Sequence, residues 1–223
     1  MLITWAKAGA ADGTALRADR QTAGRGRADR PWSSPAGNLH LSVLVRPAVP
    51  SRRYAELAFV AALAAGDAID GWSRAPARLK LKWPNDLLFD GLKMGGILIE
   101  GADLGRLVVG IGLNLISHPT DSQWPATDLA SHVATAPAPQ AAARDLCRAL
   151  DQRLEDWRAN GFAAIRATWL DRAWALGQAV RVRMADGIAE GRFHALDDDG
   201  AMLLERLPGG LIERVLAADV LRM

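Results

Sequence analysis

The spacing of apolar and polar positions changes period several times along the chain, and each change marks an element. Thr14–Thr22 reads as a strand running into a loop. The stretch Ala23–Gly37 (AGRGRADRPWSSPAG) has Gly and Pro breakers and no apolar period, which predicts an exposed, mobile loop. Leu39–Val45 alternates as a half-buried strand does. Ser51 is placed to cap a helix whose Tyr54, Ala58, Ala61, Ala65, Ala68 and Trp72 share one face at the 3.6 period. Arg78–Trp83 alternates basic and apolar residues and stops at Pro84. Asp90-Gly91 marks a turn between strands at Asp86–Phe89 and Lys93–Glu100, and Arg106–Leu115 is a further apolar strand. From Ile116 to Ala136 the pattern predicts mostly loop. Leu146, Leu150, Leu154 and Trp157 then predict one helix, and Phe162, Ile165 and Trp169 a second.

Beyond Gln178 the texture is different. Val180, Val182 and Met184 alternate, and Asp186-Gly187, Asp199-Gly200 and Gly209-Gly210 punctuate short strands. This predicts a small antiparallel barrel of the SH3 kind behind an α+β catalytic domain with a mixed sheet flanked by helices. The division falls at residues 1–175 and 176–223.

Composition narrows the class. Half of the 223 residues are apolar and 23% are charged, which excludes wholesale disorder. The longest apolar run, Leu57–Ala65, is far below the ~20 residues of a bilayer span. A single cysteine, Cys147, makes no internal disulfide and reads as a small core residue, and a cytoplasmic location is expected. The formal charge is +2, but residues 1–53 carry nine Lys/Arg against three Asp, a local +6 that leaves −4 for the remainder. That excess sits in the Gly-rich stretch and points to a local anion site rather than a nucleic-acid face.

Three segments carry candidate chemistry. In Gln21–Arg30 (QTAGRGRADR), two glycines free the backbone to curl round an anion, and Arg25, Arg27 and Arg30 add planar forks for phosphate or carboxylate. Taken singly this is equally a solvated basic loop. In Lys82–Asp86 (KWPND), a strand ends at Pro84 and presents an amide, Asn85, beside a carboxylate, Asp86. The bland alternative is an Asx turn. In Lys93–Glu100 and Gly110–Asn114, Lys93 heads an apolar strand, while Gly95, Gly96, Gly110 and Gly112 leave room for a flat ligand or for close strand packing. No His spacing suggests a metal site.

Together these segments resemble the biotin–protein ligases in order and spacing. The family's GRGR loop and R-x-W-x-S-P-x-G-N-L stand at Gly24–Arg27 and Arg30–Leu39, K-W-P-N-D at Lys82–Asp86, K-x-x-G-I-L-x-E at Lys93–Glu100 and G-x-G-x-N at Gly110–Asn114. The resemblance implies a class II synthetase-like catalytic domain that forms biotinyl-5′-AMP from biotin and ATP with Mg²⁺. It implies transfer of biotin to a lysine of a biotin carboxyl carrier protein, such as that of acetyl-CoA carboxylase, and it admits a homodimer. It further implies catalytic roles for Lys93, Arg27 and Asp86, the last as base toward the acceptor lysine. Biotin contacts fall on Gln21, Arg25, Gly26, Arg27, Lys93, Gly110 and Gly112. Adenylate contacts fall on Arg27, Arg30, Trp32, Asn85, Lys93 and Asn114. The loop would be mobile until it folds over the adenylate.

Two departures stand out. Met1–Lys7 aligns with the helix that follows the family's Ser-Thr-Asn-like segment, so those ureido-binding residues are not in the chain and a weakened pocket, or a start placed too late, is expected. Gly96 stands where the family usually has Ala. With no residues for a winged helix, operator DNA binding is not expected. The rival readings are a lipoate–protein ligase, which lacks the K-W-P-N-D and GRGR pairing, and a catalytically weakened biotin- or carrier-binding paralogue.

Overall fold

The computed structural model describes residues 1–103, 105–184, 187–206, 208–216 and 218–221. Six strands, β1 (Ala15–Ala18), β2 (Leu39–Val45), β3 (Leu79–Lys82), β4 (Asp86–Phe89), β5 (Leu92–Asp103) and β6 (Arg106–Leu113), form a sheet of order β1-β2-β6-β5-β4-β3. Helices α2 (Glu56–Ser73) and α3 (Pro139–Asp171) pack on one face, with Leu41, Val43, Ile97, Val109 and Ile111 turned toward them in the main core. The short helix α1 (Leu2–Lys7) lies on the other, where Leu2 and Ala6 cover Leu44 and Val108. Cover on both sides explains why β2 is buried along nearly its whole length rather than on alternate residues.

The sheet departs from expectation in one respect. Every strand pair among the described residues is antiparallel, where a mixed sheet was expected, and parallel contacts are limited to isolated bridges at Leu81–Ala173 and Lys93–Ala126. Short hairpins account for this: the β4–β5 and β5–β6 connections are too short for a crossover.

The start of α2 also differs. Ser51 lies in a single 3₁₀ turn, and α2 begins after Ala55 without a side-chain cap. Arg53 grips the Glu56 carboxylate at 2.7 and 2.9 Å instead, and Trp157 Nε1 of α3 donates to the same carboxylate at 2.6 Å. With α3 on one side and the sheet on the other, the Ala-rich α2 is buried almost all round. Gly161, at φ 74°, breaks α3 between the two apolar stripes seen in the sequence.

After α3 the chain enters a second sheet of β7 (Ala179–Met184), β8 (Gly187–Leu196), β9 (Met202–Arg206), β10 (Ile212–Val215) and β11 (Asp219–Leu221). Its order is β10-β9-β8-β7-β11, all antiparallel. Among the described residues β10 and β11 do not pair, so the small antiparallel barrel expected here is a five-stranded sheet without a closing strand pair. The proposed turn at Asp186 lies outside the described residues. The two sheets are joined at a buried point: Trp83 Nε1 donates to the Gly200 carbonyl at 3.0 Å. Gly200, at φ +87°, sits so close to Phe59 of α2 that a Cβ there would lie 2.5 Å from the ring. No helix among the described residues is long and apolar enough to cross a membrane.

Candidate active site

The antiparallel register of β4 and β5 builds the centre. Asp86 faces Gly96, and a register shift between Leu87 and Leu88 brings Lys93 back toward Asp86. Lys93 Nζ lies 2.6 Å from Asp86 Oδ1, and Lys82 Nζ, at the end of β3, lies 3.1 Å from Asp86 Oδ2. One nearly buried carboxylate therefore lies between two ammonium groups. Burial opposes the charge on Asp86, but Lys93 and Lys82 more than offset it and hold the carboxyl below the usual carboxylate range. Burial pushes Lys82 below the usual lysine range against the pull of Asp86.

Trp32 roofs this trio. Its ring centroid is 5.6 Å from Lys93 Nζ, and it lies flat against the sheet where β5 and β6 carry glycine. A Cβ on Gly112 would sit 2.6 Å from the indole, and one on Gly96 3.4 Å from it. Gly112 is thus a glycine because an aromatic plane needs the space. Gly110 has only the Leu98 backbone and Cβ near it, leaving its outward side uncovered. The indole Nε1 of Trp32 is buried and has no hydrogen-bond partner among the described residues.

The arginine loop is folded rather than free. Trp32 N donates to the Gly24 carbonyl at 2.9 Å and Gly26 N to the Arg30 carbonyl at 2.7 Å, while Ser34 Oγ donates to Gln21 Oε1 at 2.7 Å to close the neck. Arg25 reaches Glu100 at 2.7 Å. Arg30 meets Asp219 of β11 at 2.9 Å, and Arg27 donates to the Ala218 carbonyl at 3.3 Å. Burial lowers the Arg27 pKa from its ordinary value and Asp219 acts the other way, and a guanidinium in this position stays charged. The second sheet thus supplies acceptors for two of the loop's three arginines.

Two residues expected at the ligand are occupied in the frame. Asn85 Nδ2 donates to the Ile97 carbonyl at 2.6 Å, locking the start of β4 to β5. Asn114 is buried, and its Nδ2 donates to the Thr127 carbonyl at 3.0 Å. That bond belongs to a strap that the sequence pattern shows only as loop. Lys93 N donates to the Pro125 carbonyl at 2.8 Å and Thr127 N to the Lys93 carbonyl at 2.9 Å, so 125–127 fixes the backbone that carries the ammonium. Glu100 and Ser34 stand within the motifs at Lys93–Glu100 and Arg30–Leu39 without an assigned role, whereas Asp219 and the strap are participants that local pattern does not reveal, Asp219 because its partner Arg30 lies 189 residues away. Lys82 stands within the K-W-P-N-D motif, but its burial is not legible there, since the alternation of basic and apolar residues places it on the polar face of the strand.

A cleft of about 780 Å³ adjoins the site. It shares Arg27 and Asn85 with the centre and continues past Arg52, Phe59, Ile99 and Leu216, while Lys93, Asp86 and Trp32 do not line it. Chemically, the centre can neutralise a carboxylate or phosphate at Lys93, leave room for a flat ring at the uncovered Gly110, and present a carboxylate for proton transfer. Among the described residues no group of three or more His, Cys, Asp or Glu is arranged for a metal ion.

Comparison with known proteins gives the arrangement a context. Residues 4–114 match the model of the Biotin/lipoate A/B protein ligase family, and residues 175–223 match that of the Biotin protein ligase C terminal domain. The chain is 37% identical over 206 residues to the biotin–[acetyl-CoA-carboxylase] ligase of Paracoccus denitrificans, covering 86% of this chain and 84% of that protein. It is 34% identical to the bifunctional ligase/repressor BirA of Bacillus subtilis, covering 95% of this chain but 66% of the relative, so it spans just under two thirds of that protein's length. The fold matches the biotin protein ligase of Aquifex aeolicus in complex with biotin and ATP with a TM-score of 0.85 at 28% identity, covering 96% of this chain and 91% of that one.

Proposed function

The chain belongs to the biotin protein ligase family, and from that membership we propose that it activates biotin with ATP and passes it to a carrier-protein lysine. The observation that carries the reading is the Lys93–Asp86–Lys82 trio beneath Trp32, with the arginine loop closing over it. In the first step the biotin carboxylate attacks the α-phosphate of ATP, forming an O–P bond and releasing pyrophosphate. Two anions must approach, so the site has to neutralise both before the bond forms. Lys93 supplies the charge from the sheet, and Arg27 and Arg30 supply it from the loop. Positioning carries this step, since no covalent enzyme intermediate is needed.

In the second step the acceptor amine attacks the biotinyl carbonyl, an amide bond forms, and AMP leaves with the electron pair of the broken C–O bond. A free lysine titrates near ~10.4, so the acceptor must lose a proton, and Asp86 is the carboxylate in place to take it. Trp32 and the folded loop keep water from the mixed anhydride. The uncovered side of Gly110 leaves room for the biotin rings, with Trp32 stacked on Gly112 beside them and Gln21, Arg25 and Gly26 on the loop side. Asn85 and Asn114 serve by holding β4, β6 and the strap in register around the adenylate.

Magnesium, which accompanies ATP, is expected on the phosphate oxygens, where it adds positive charge. The nearby carboxylates Asp86, Glu100 and Asp219 each already hold a cationic side chain, so the chemistry fits a metal carried by the nucleotide better than a protein cage. The acceptor is a carrier protein of acetyl-CoA carboxylase type, as the name of the Paracoccus relative indicates for that enzyme. A two-part organisation near residue 175 and a cytoplasmic site of action belong to the same reading. Release of pyrophosphate from ATP that depends on biotin, and that lipoate does not replace, is the expected result. Equal release with lipoate, or none with either, would contradict it.

A further inference from the structure

Asp86 has two cationic partners, and the ligase reaction as proposed uses only one of them. Lys93 must turn from Asp86 Oδ1, 2.6 Å away, to the carboxylate of the substrate. Were it the sole partner, that movement would leave a nearly buried carboxylate alone, which is among the costlier events in a protein interior. Lys82 is built to prevent this. Its side chain is 7% exposed, against 26% for Lys93, so it has little freedom to follow a ligand. Its backbone is fixed opposite Asp86 in the β3–β4 pair, its Nζ lies 3.1 Å from Asp86 Oδ2, and the Trp124 ring stacks 4.4 Å from the ammonium.

We propose that Lys82 is a positioning residue of the active site: it retains Asp86 in its place while Lys93 moves to the biotin carboxylate. Lys93 is thereby a shared cation and Lys82 a resident one. The inference rests on the ligase reading above and adds to it a division of labour between the two lysines. The same arrangement keeps Asp86 oriented for the second step, when the acceptor amine arrives. Burial already strains the Lys82 charge, and Asp86 is the largest influence opposing that strain, so the two groups stabilise each other with or without Lys93.

The test is calorimetric binding of biotin to the full chain, with thermal unfolding recorded on each variant. Lys82→Met removes the charge and keeps the length, leaving Lys93 as the only cation on Asp86. Biotin should then bind at least about tenfold more weakly, because binding strands the carboxylate. In Lys82→Met/Asp86→Asn no carboxylate is left to strand, so the affinity should return to within about threefold of Asp86→Asn alone. A purely structural role would lower the melting temperature and would not be reversed by the second substitution. Should Lys82→Met fail to fold, Lys82→Gln takes its place. Parent-like biotin affinity in the single variant, or equal weakness in the single and the double variant, would overturn the role of Lys82. Absence of biotin binding by the parent chain itself would overturn the ligase reading and this inference with it.

Discussion

Lys93 Nζ and Asp86 Oδ1 are 2.6 Å apart, so the group proposed to draw in anions and the group proposed to take a proton form one ion pair. The pairing sets the order of events. Lys93 is held ready beside the floor of the site, and its transfer to substrate frees one carboxylate oxygen for the amine that follows.

Lys93→Ala should leave the fold standing, since the ammonium is partly exposed and Asp86 keeps Lys82. Biotin-dependent pyrophosphate release should fall by at least about a hundredfold, the scale of losing a preorganised charge at a reacting centre. The assay is pyrophosphate release at saturating ATP. Parent-like release would remove Lys93 from the first step.

Asp86→Asn should cost roughly 3 kcal/mol in urea unfolding at neutral pH, because Lys82 is left buried without a carboxylate. Its pH dependence has a fixed sign. The folded-state pKa of Asp86 is depressed, so its stabilisation is complete above the ordinary carboxylate value of ~3.9 and is lost as pH falls through the lower folded value. The gap between parent and variant should therefore close in strongly acidic solution and be fully open by about pH 5, narrowing again only toward alkaline pH, where Lys82 without Asp86 sheds its proton. A gap that is already closed at pH 5 would contradict the ion pairs.

Much of the frame was readable before any coordinates. β2 and β4 match their predicted bounds, and the helix break falls at Gly161, where the two apolar stripes meet. These elements are specified locally, by alternation, turn dipeptides and a glycine. What was not readable depends on distance in sequence. Whether the main sheet is mixed or antiparallel, and whether the second sheet closes, are matters of which strands meet. The arginine loop is exposed as its pattern predicts, but the partners that Asp219 and Glu100 provide for Arg30 and Arg25 come from remote strands and are not legible locally. Asn85 and Asn114 look like ligand-facing amides in a motif, yet their bonds run to backbone carbonyls that only the fold brings near.

Gly112→Ala should act through Trp32 rather than through the sheet. The added methyl would meet the indole at 2.6 Å, and the loop side chain, not β6, will give way. Tryptophan fluorescence should shift and biotin affinity should weaken by about tenfold, with the melting temperature nearly unchanged. An unchanged emission spectrum would mean that Trp32 does not lie on Gly112 in solution.

Arg27→Gly removes the side chain that tethers the loop to the Ala218 carbonyl and lines the neighbouring cleft. Adenylate should still form, but it should escape, and the free biotinyl-5′-AMP is measurable by chromatography after rapid filtration. Retention equal to the parent's would contradict a closing role for the loop.

The central claim is that this chain completes both half-reactions. The most direct measurement is the intact mass of a carboxyl-carrier domain, in its unmodified form, incubated with the chain, biotin, ATP and Mg²⁺. The account predicts the addition of one biotinyl group that requires ATP and disappears when the carrier's acceptor lysine is replaced by arginine. A carrier mass that stays unchanged while the chain still binds biotin would contradict it.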